Sequence, residues 1–142
     1  MYSVLDIARY IILKEREEGH FVSNLKLQKI LYFIQAEFLV VRGEACFFED
    51  IIASEFGPIV LEVYHEYKVF GGASIPFNLK ISMPYIRSED KKLIDDMLDM
   101  VRRYSASTLT KISINQMPWT DTYSRRKGGV ISRKLIREYF DD

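Results

Sequence analysis

Five polar side chains within ten residues, Lys26, Gln28, Lys29, Tyr32 and Gln35, form the densest chemical grouping in this chain. Two amines, two carboxamides and a phenol can build a hydrogen-bond network or meet a partner's polar surface. They hold no nucleophile–base pair and no metal-ligand pattern. On a helix Lys26, Gln28, Lys29 and Gln35 also read as a solvated face of good helix formers, and residue physics alone favours that reading, while Tyr32 could bury its ring and offer its hydroxyl either way. The other candidates are sparser. His20 and His65 lack an H-E-x-x-H or H-x-E spacing, and Cys46, the one cysteine, has neither a second thiol nor a nucleophile signature around it. No G-x-S-x-G elbow offers a serine. Glu49-Asp50 and Asp95-Asp96 are adjacent carboxylates, which on a helix point in different directions and make poor acid–base pairs. Arg125-Arg126-Lys127 could contact phosphate, although three cations in a flexible, Gly-flanked connector more often only solvate it. No catalytic residue, metal or cofactor is expected, and the chain reads as a non-enzyme.

The polar set must be positioned by a helix. Leu27, Ile30, Leu31, Ile34, Phe38 and Leu39 recur at steps of three and four around it. Ser23 is placed to cap that helix, Val22 and Leu27 to staple its entry, and Gly43 to end it. An earlier helix is expected over Val4–Glu18, with Ser3 and Asp6 at capping-box spacing, Gly19 as its stop and Lys14–Glu18 as a solvated, fraying last turn. Phe47–Phe56 suggests one or two short extended pieces. Gly57-Pro58 is expected to start another helix, since proline at the first position loses no intrahelical bond. Val60, Val63, Tyr64, Tyr67 and Phe70 continue its spacing and Gly71-Gly72 ends it.

Ala73–Arg87, with Pro76 and Pro84, reads as a long loop with a strand fragment near Leu79-Lys80-Ile81, long enough to suspect a functional or mobile role. Ser88 is expected to cap a helix carrying Leu93, Ile94, Met97, Leu98 and Val101. Short helices follow over Ala106–Ile114 and from Met117-Pro118-Trp119, the last placing Trp119 in the core. Ser132 caps a final helix whose Leu135, Ile136, Tyr139 and Phe140 face inward. The expected fold is mainly α, one compact domain over residues 1–142 of about six helices, with at most a small β element around 47–57 and 77–82.

Composition narrows the partners. The 20 Lys and Arg balance 20 Asp and Glu, without the basic surplus that a dedicated nucleic-acid binder usually carries. Nine Tyr and nine Phe provide for an aromatic core or interface. One cysteine excludes an internal disulfide, and neither an export signal nor a membrane-spanning apolar run is evident. A cytoplasmic protein without membrane contact is therefore expected.

The order L-K-L-Q-K-I-L-Y-F-I-Q-A, then F-G-P-I-V-x-x-V-Y, then P-W resembles the Panacea antitoxin domain, also called SocA-like or phage-associated. The matching residues are Leu25-Lys26-Leu27-Gln28-Lys29, Tyr32, Gln35, Phe56-Gly57-Pro58, Val63-Tyr64, Tyr67-Lys68 and Pro118-Trp119. Where that pattern has Leu-Thr-His shortly before Pro-Trp, this chain has Ile112-Ser113-Ile114. The resemblance implies an antitoxin that neutralises a cognate toxin encoded nearby by direct binding, with delivery of the toxin to a protease as a variant. It implies no fused operator-binding module. The expected binding residues are Lys26, Lys29, Tyr32, Phe47, Phe48 and Phe56. The corresponding faces are the Phe47–Phe56 segment, the Gly71–Arg87 loop and the polar side of the Ser23-capped helix. Leu25, Leu27, Gln28, Gln35, Gly57, Pro58, Tyr64, Pro118 and Trp119 are expected to be structural. The alternative is a nucleic-acid-binding regulator using Lys26, Lys29, Lys111, Arg125, Arg126, Lys134 and Arg137 as a basic patch.

Overall fold

A long central helix organises the molecule. The computed structural model describes residues 1–141 and contains, in order, α1 (Val4–Glu17), α2 (Asn24–Val41), β1 (Ile51–Ser54), β2 (Gly57–Ile59), α3 (Leu61–Tyr67) with a following 3₁₀ turn (Lys68–Phe70), α4 (Ser88–Val101), α5 (Ala106–Ser113), α6 (Met117–Arg125), β3 (Val130–Ile131) and α7 (Arg133–Phe140). The fold is mainly α, with seven helices rather than about six and one small sheet. Helices α1, α3, α4, α5 and α7 and strand β2 all pack against α2. An amphipathic helix offers one stripe to a core; a helix surrounded in this way must bury residues around its whole circumference. Ile30, Leu31, Ile34 and Ala36 are accordingly buried together with Gln28, Lys29, Tyr32 and Gln35.

The helix ends follow local chemistry, with two corrections to the expected caps. Ser23, Ser105 and Ser132 each accept from the backbone N–H three residues on. Ser3 does not cap α1 with its side chain; the Val4 N–H donates instead to Glu49 Oε1 at 2.8 Å, borrowing its cap from a distant segment. Ser88 lies inside α4, whose cap position is Arg87. The last turn of α1 is also not a solvated, fraying end. Glu15 is buried there and accepts from Arg102, with Nη2–Oε1 at 2.6 Å. Two chain segments from opposite halves of the sequence are tied by that pair.

Gly57-Pro58 does not begin a helix. Both residues belong to β2, which pairs antiparallel with β1 in the register Ile52–Ile59, Ala53–Pro58 and Ser54–Gly57, around a two-residue turn at Glu55-Phe56. The turn closes locally because Ser54 Oγ donates to the Gly57 carbonyl at 2.7 Å and accepts from the Phe56 N–H at 3.0 Å. Gly57 takes φ +92°, a conformation that glycine adopts without strain. The third strand is β3, giving the order β2-β1-β3. No strand forms at 77–82. That segment is instead pinned by the Arg16 guanidinium, which donates to the Pro76 and Leu79 carbonyls at 2.6 and 2.9 Å, and by the buried side chains of Ile75 and Ile86. Among the described residues, no helix is long and apolar enough to cross a membrane.

Candidate partner-binding site

Gln28, Lys29, Tyr32 and Gln35 of α2 do not meet solvent. Gln28, Lys29 and Gln35 each hold a separate piece of backbone, and Tyr32 holds a side chain. Gln28 Oε1 accepts from the Val60 N–H at 2.7 Å while its Nε2 donates to Asn24 Oδ1 at 3.0 Å. One helical turn on, Tyr32 OH donates to Gln116 Oε1 at 2.7 Å. Gln35 Oε1 accepts from the N–H groups of Cys46 (2.8 Å) and Phe47 (3.2 Å), and its Nε2 donates to the Phe47 carbonyl at 3.1 Å. Between these, Lys29 Nζ donates to the Pro58 carbonyl at 2.8 Å. The approach to the hairpin, its far end and the start of α6 are thus fastened to one helix. Trp119 completes the grip, donating from Nε1 to the Ser54 carbonyl at 2.8 Å and stacking on Tyr123.

Burial sets the electrostatics of this grip. Lys29 is fully buried and has no carboxylate partner among the described residues, so desolvation pushes its amine down to about 7. Its amine and Cε, with Ser113 Oγ, crowd the space beside Gly57: a Cβ built there would lie 3.0 Å from Ser113 Oγ and 3.1 Å from Lys29 Nζ. The Tyr32 hydroxyl and the Cys46 thiol are both pushed upward by burial, which leaves Cys46 protonated and shielded rather than nucleophilic. Among the described residues, no three His, Cys, Asp or Glu side chains gather as a metal ion would require. His20 and His65 are both exposed.

Several of the expected binding residues are therefore not surface residues. Lys29, Tyr32 and Phe47 are fully buried, so none of them can face a partner in this structure. Lys26 is half-buried and donates to the Arg102 carbonyl at 3.0 Å, with desolvation lowering its amine. The polar side of the Ser23-capped helix is consequently no free face. Phe48 and Phe56 do reach solvent, with about three-fifths of each side chain exposed. Leu27, Gln28, Gln35, Gly57, Pro58 and Pro118 are buried, and Trp119 is partly so.

The remaining residues of the quoted pattern meet in one place. Leu25, Phe56, Tyr64 and Lys68 line a cleft of about 140 Å³ together with Asn24, Gln28, Ile59 and Gly71. Three elements build it. The first turn of α2 contributes Leu25, the β1–β2 turn projects Phe56, and α3 with its 3₁₀ extension supplies Tyr64 and Lys68. The walls are mainly apolar, and a space of about 150 Å³ accommodates a benzene-sized group. Lys68 stands at the rim as an exposed cation with no carboxylate within 4 Å among the described residues. Such a cleft suits one apolar or aromatic anchor from another molecule.

Sequence reasoning included Phe56 among the binding residues but assigned Tyr64 to the scaffold and assigned Leu25 there too. Helical spacing carried no signal for this: Tyr64 stands four residues after Val60 and three before Tyr67, both buried, yet it is exposed. A model of the family described as antitoxin SocA-like, Panacea domain, matches residues 27–120. No curated protein and no solved structure matches the chain.

Proposed function

The chain belongs to the antitoxin SocA-like Panacea family, and on that premise we propose that it is a cytoplasmic antitoxin that neutralises a cognate toxin encoded nearby by binding it directly. Family membership by itself points to a toxin–antitoxin-related, non-catalytic role. The finer reading is supported by one observation. Most of the family pattern is consumed in holding α2, the hairpin and α6 together, while four of its residues are left over and line a single accessible cleft. Residues that do not stabilise the fold but gather at a concave, aromatic-walled surface are suited to anchoring a partner.

In this reading a bulky side chain of the toxin enters between Phe56 and Tyr64, and Lys68 supplies a charged rim. The two exposed rings bring contact area with little conformational entropy to lose. The test is co-expression with the adjacent open reading frame, scored by growth rescue and by co-purification. Rescue with a stable complex by the wild type, lost in Phe56→Asp and Tyr64→Asp but kept in Phe48→Asp and Phe77→Asp, supports direct binding through the cleft. Retention of binding in both cleft variants overturns the placement, and a toxic neighbour that is neither rescued nor bound overturns the antitoxin reading for that pair. Toxin half-life in the same cells separates simple masking from delivery to a protease.

A further inference from the structure

The corner built by α6, β3 and α7 carries a charge distribution that the antitoxin reading does not use. Between Thr122 and Arg137 lie six cations, Arg125, Arg126, Lys127, Arg133, Lys134 and Arg137, and no acid, in a chain whose charges cancel overall. The structure folds this stretch back on itself. Gly128, at φ +79°, and Gly129 turn the chain, and β3 pairs with β1, so that α7 returns beside α6. All six cations are exposed.

Their partners leave much of the charge uncompensated. Among the described residues, Arg125, Arg126 and Lys127 have no carboxylate within 4 Å, while Lys134 and Arg137 have only long i,i+4 contacts, at 3.9 and 3.8 Å. Arg133 donates to the Phe47 and Phe48 carbonyls, which orients its guanidinium without neutralising it. Lys127 lies over the Tyr123 ring. Arg125 and Arg126 share a cavity of about 330 Å³ with Gly129, Val130, Ser132 and Leu135, and Asp121 is the one acid on its wall. The other large apolar side chains that reach solvent, including Phe48, Phe56, Val69, Phe77, Met83 and Tyr85, lie outside this stretch.

We propose that this corner is a second binding surface, which holds the phosphate backbone of nucleic acid through Arg125, Arg126 and Lys127 without reading bases. A protein partner of any affinity needs an apolar centre to its interface, whereas among the described residues the stretch from α6 to α7 exposes only Val130 and Tyr139 as large apolar side chains, with Phe48 at its Arg133 edge. Phosphate binding needs cations and no apolar centre, because its driving force is release of condensed counterions. The surface also departs from the basic patch expected from sequence, since Lys26 and Lys29 are withdrawn from it by burial and hydrogen bonding. It shares no residue with the Phe56–Tyr64 cleft, so it stands or falls independently of the toxin.

The test is fluorescence anisotropy of the full chain with a labelled mixed-sequence DNA duplex across a salt series. With roughly three phosphates contacted, affinity should fall by about fortyfold for a fourfold rise in salt, independent of base sequence. The triple variant Arg125→Gln/Arg126→Gln/Lys127→Gln should lower the logarithmic salt slope by about 0.9 per contact removed. Arg125→Lys/Arg126→Lys should retain binding, and Lys92→Gln, distant in sequence and on α4, should leave it unchanged. The proposal is overturned by no binding at low salt, by an unchanged slope in the triple variant with unchanged circular dichroism, or by poly-glutamate competing as well as DNA, which would make the surface a site for acidic protein.

Discussion

The carboxamide of Gln35 closes on the peptide backbone of Phe47 from both sides, accepting from its N–H at 3.2 Å and donating to its carbonyl at 3.1 Å. A side chain here does what a neighbouring strand does in a sheet, and it also satisfies the Cys46 N–H. Replacing Gln35 by Leu or Ala would leave the Cys46 and Phe47 N–H groups of a buried segment without a partner, while the Phe47 carbonyl keeps Arg133 Nη2. At about 1–3 kcal/mol for a buried unsatisfied group, partly relieved by water, the expected loss is about 2–4 kcal/mol. Urea denaturation with an unchanged m-value would measure it, and a loss below about 1 kcal/mol would show that the segment repacks without the clasp.

Lys29 makes stability depend on pH in a particular direction. Its amine, pushed down to about 7 in the folded state, returns to about 10.4 in the unfolded chain. Between those values the unfolded state holds a proton that the folded state has released, so stability rises with pH across that interval and is flat on this account below about 7. Burial raises the Cys46 thiol, which acts oppositely above the ordinary thiol value, so the clean window is about pH 7 to 8.5. Within it the wild type should gain roughly 1 kcal/mol per pH unit relative to Lys29→Met. Parallel chemical denaturation of both proteins at several pH values reads the difference, and parallel profiles would contradict it.

Gly57 is confined by conformation and by space. An alanine there would be strained at φ +92° and would press on Ser113 Oγ and the Lys29 amine, which cannot withdraw without losing the Pro58 carbonyl. Strain of about 1–2 kcal/mol and overpacking of about 1–3 kcal/mol give a marked destabilisation for Gly57→Ala. The double variant Gly57→Ala/Ser113→Ala should recover less than half of it, because the backbone strain and the lysine remain. Thermal melts of the three proteins distinguish this from a purely steric effect, which the double variant would largely cure.

Arg102 and Glu15 should behave as a coupled pair. Glu15 is 2% exposed, and Arg102 reaches it through both Nε and Nη2. Arg102→Met strands a buried carboxylate and should cost about 3–5 kcal/mol, whereas Glu15→Gln/Arg102→Met should cost distinctly less than the two single changes added together. A double-mutant cycle by equilibrium unfolding supplies the coupling, and additivity would place the pair in solvent.

The helical content and two of the serine caps were legible because spacing and capping are local. Ser23 and Ser132 obey rules that span four residues, and α2 announces itself by period, whereas the Ser105 cap was not read from sequence. What was not legible is what surrounds an element. Lys29 and Gln35 look like a solvated face until five helices and a strand close over α2, and no local rule reports that enclosure. Gly57-Pro58 shows the same limit from the other side. Proline suits the first turn of a helix, but it also suits a strand whose N–H is not needed, and tertiary contact with Lys29 and Ser113 goes with the second. Glu15 was read as solvent-facing because its partner lies 87 positions away in sequence. In the cleft, Phe56 was legible as an exposed turn aromatic, whereas the meeting of Leu25 with Tyr64 required the fold.

The grip of α2 on the hairpin and on α6 also dictates an order of events. Its bonds span 12 residues to Phe47, 29 to Pro58 and 84 to Gln116. A helix of that length winds in well under a millisecond, while closing a loop to Gln116 comes at greater entropic expense and only after intervening elements have formed. The Tyr32–Gln116 contact should thus be absent from the folding transition state, so Tyr32→Phe should hasten unfolding and leave the refolding limb of the chevron in place. A molecule assembled this way resists spontaneous opening through its last-made bond, and the whole of that buried hydroxyl's contribution to stability is read in the lifetime of the native state.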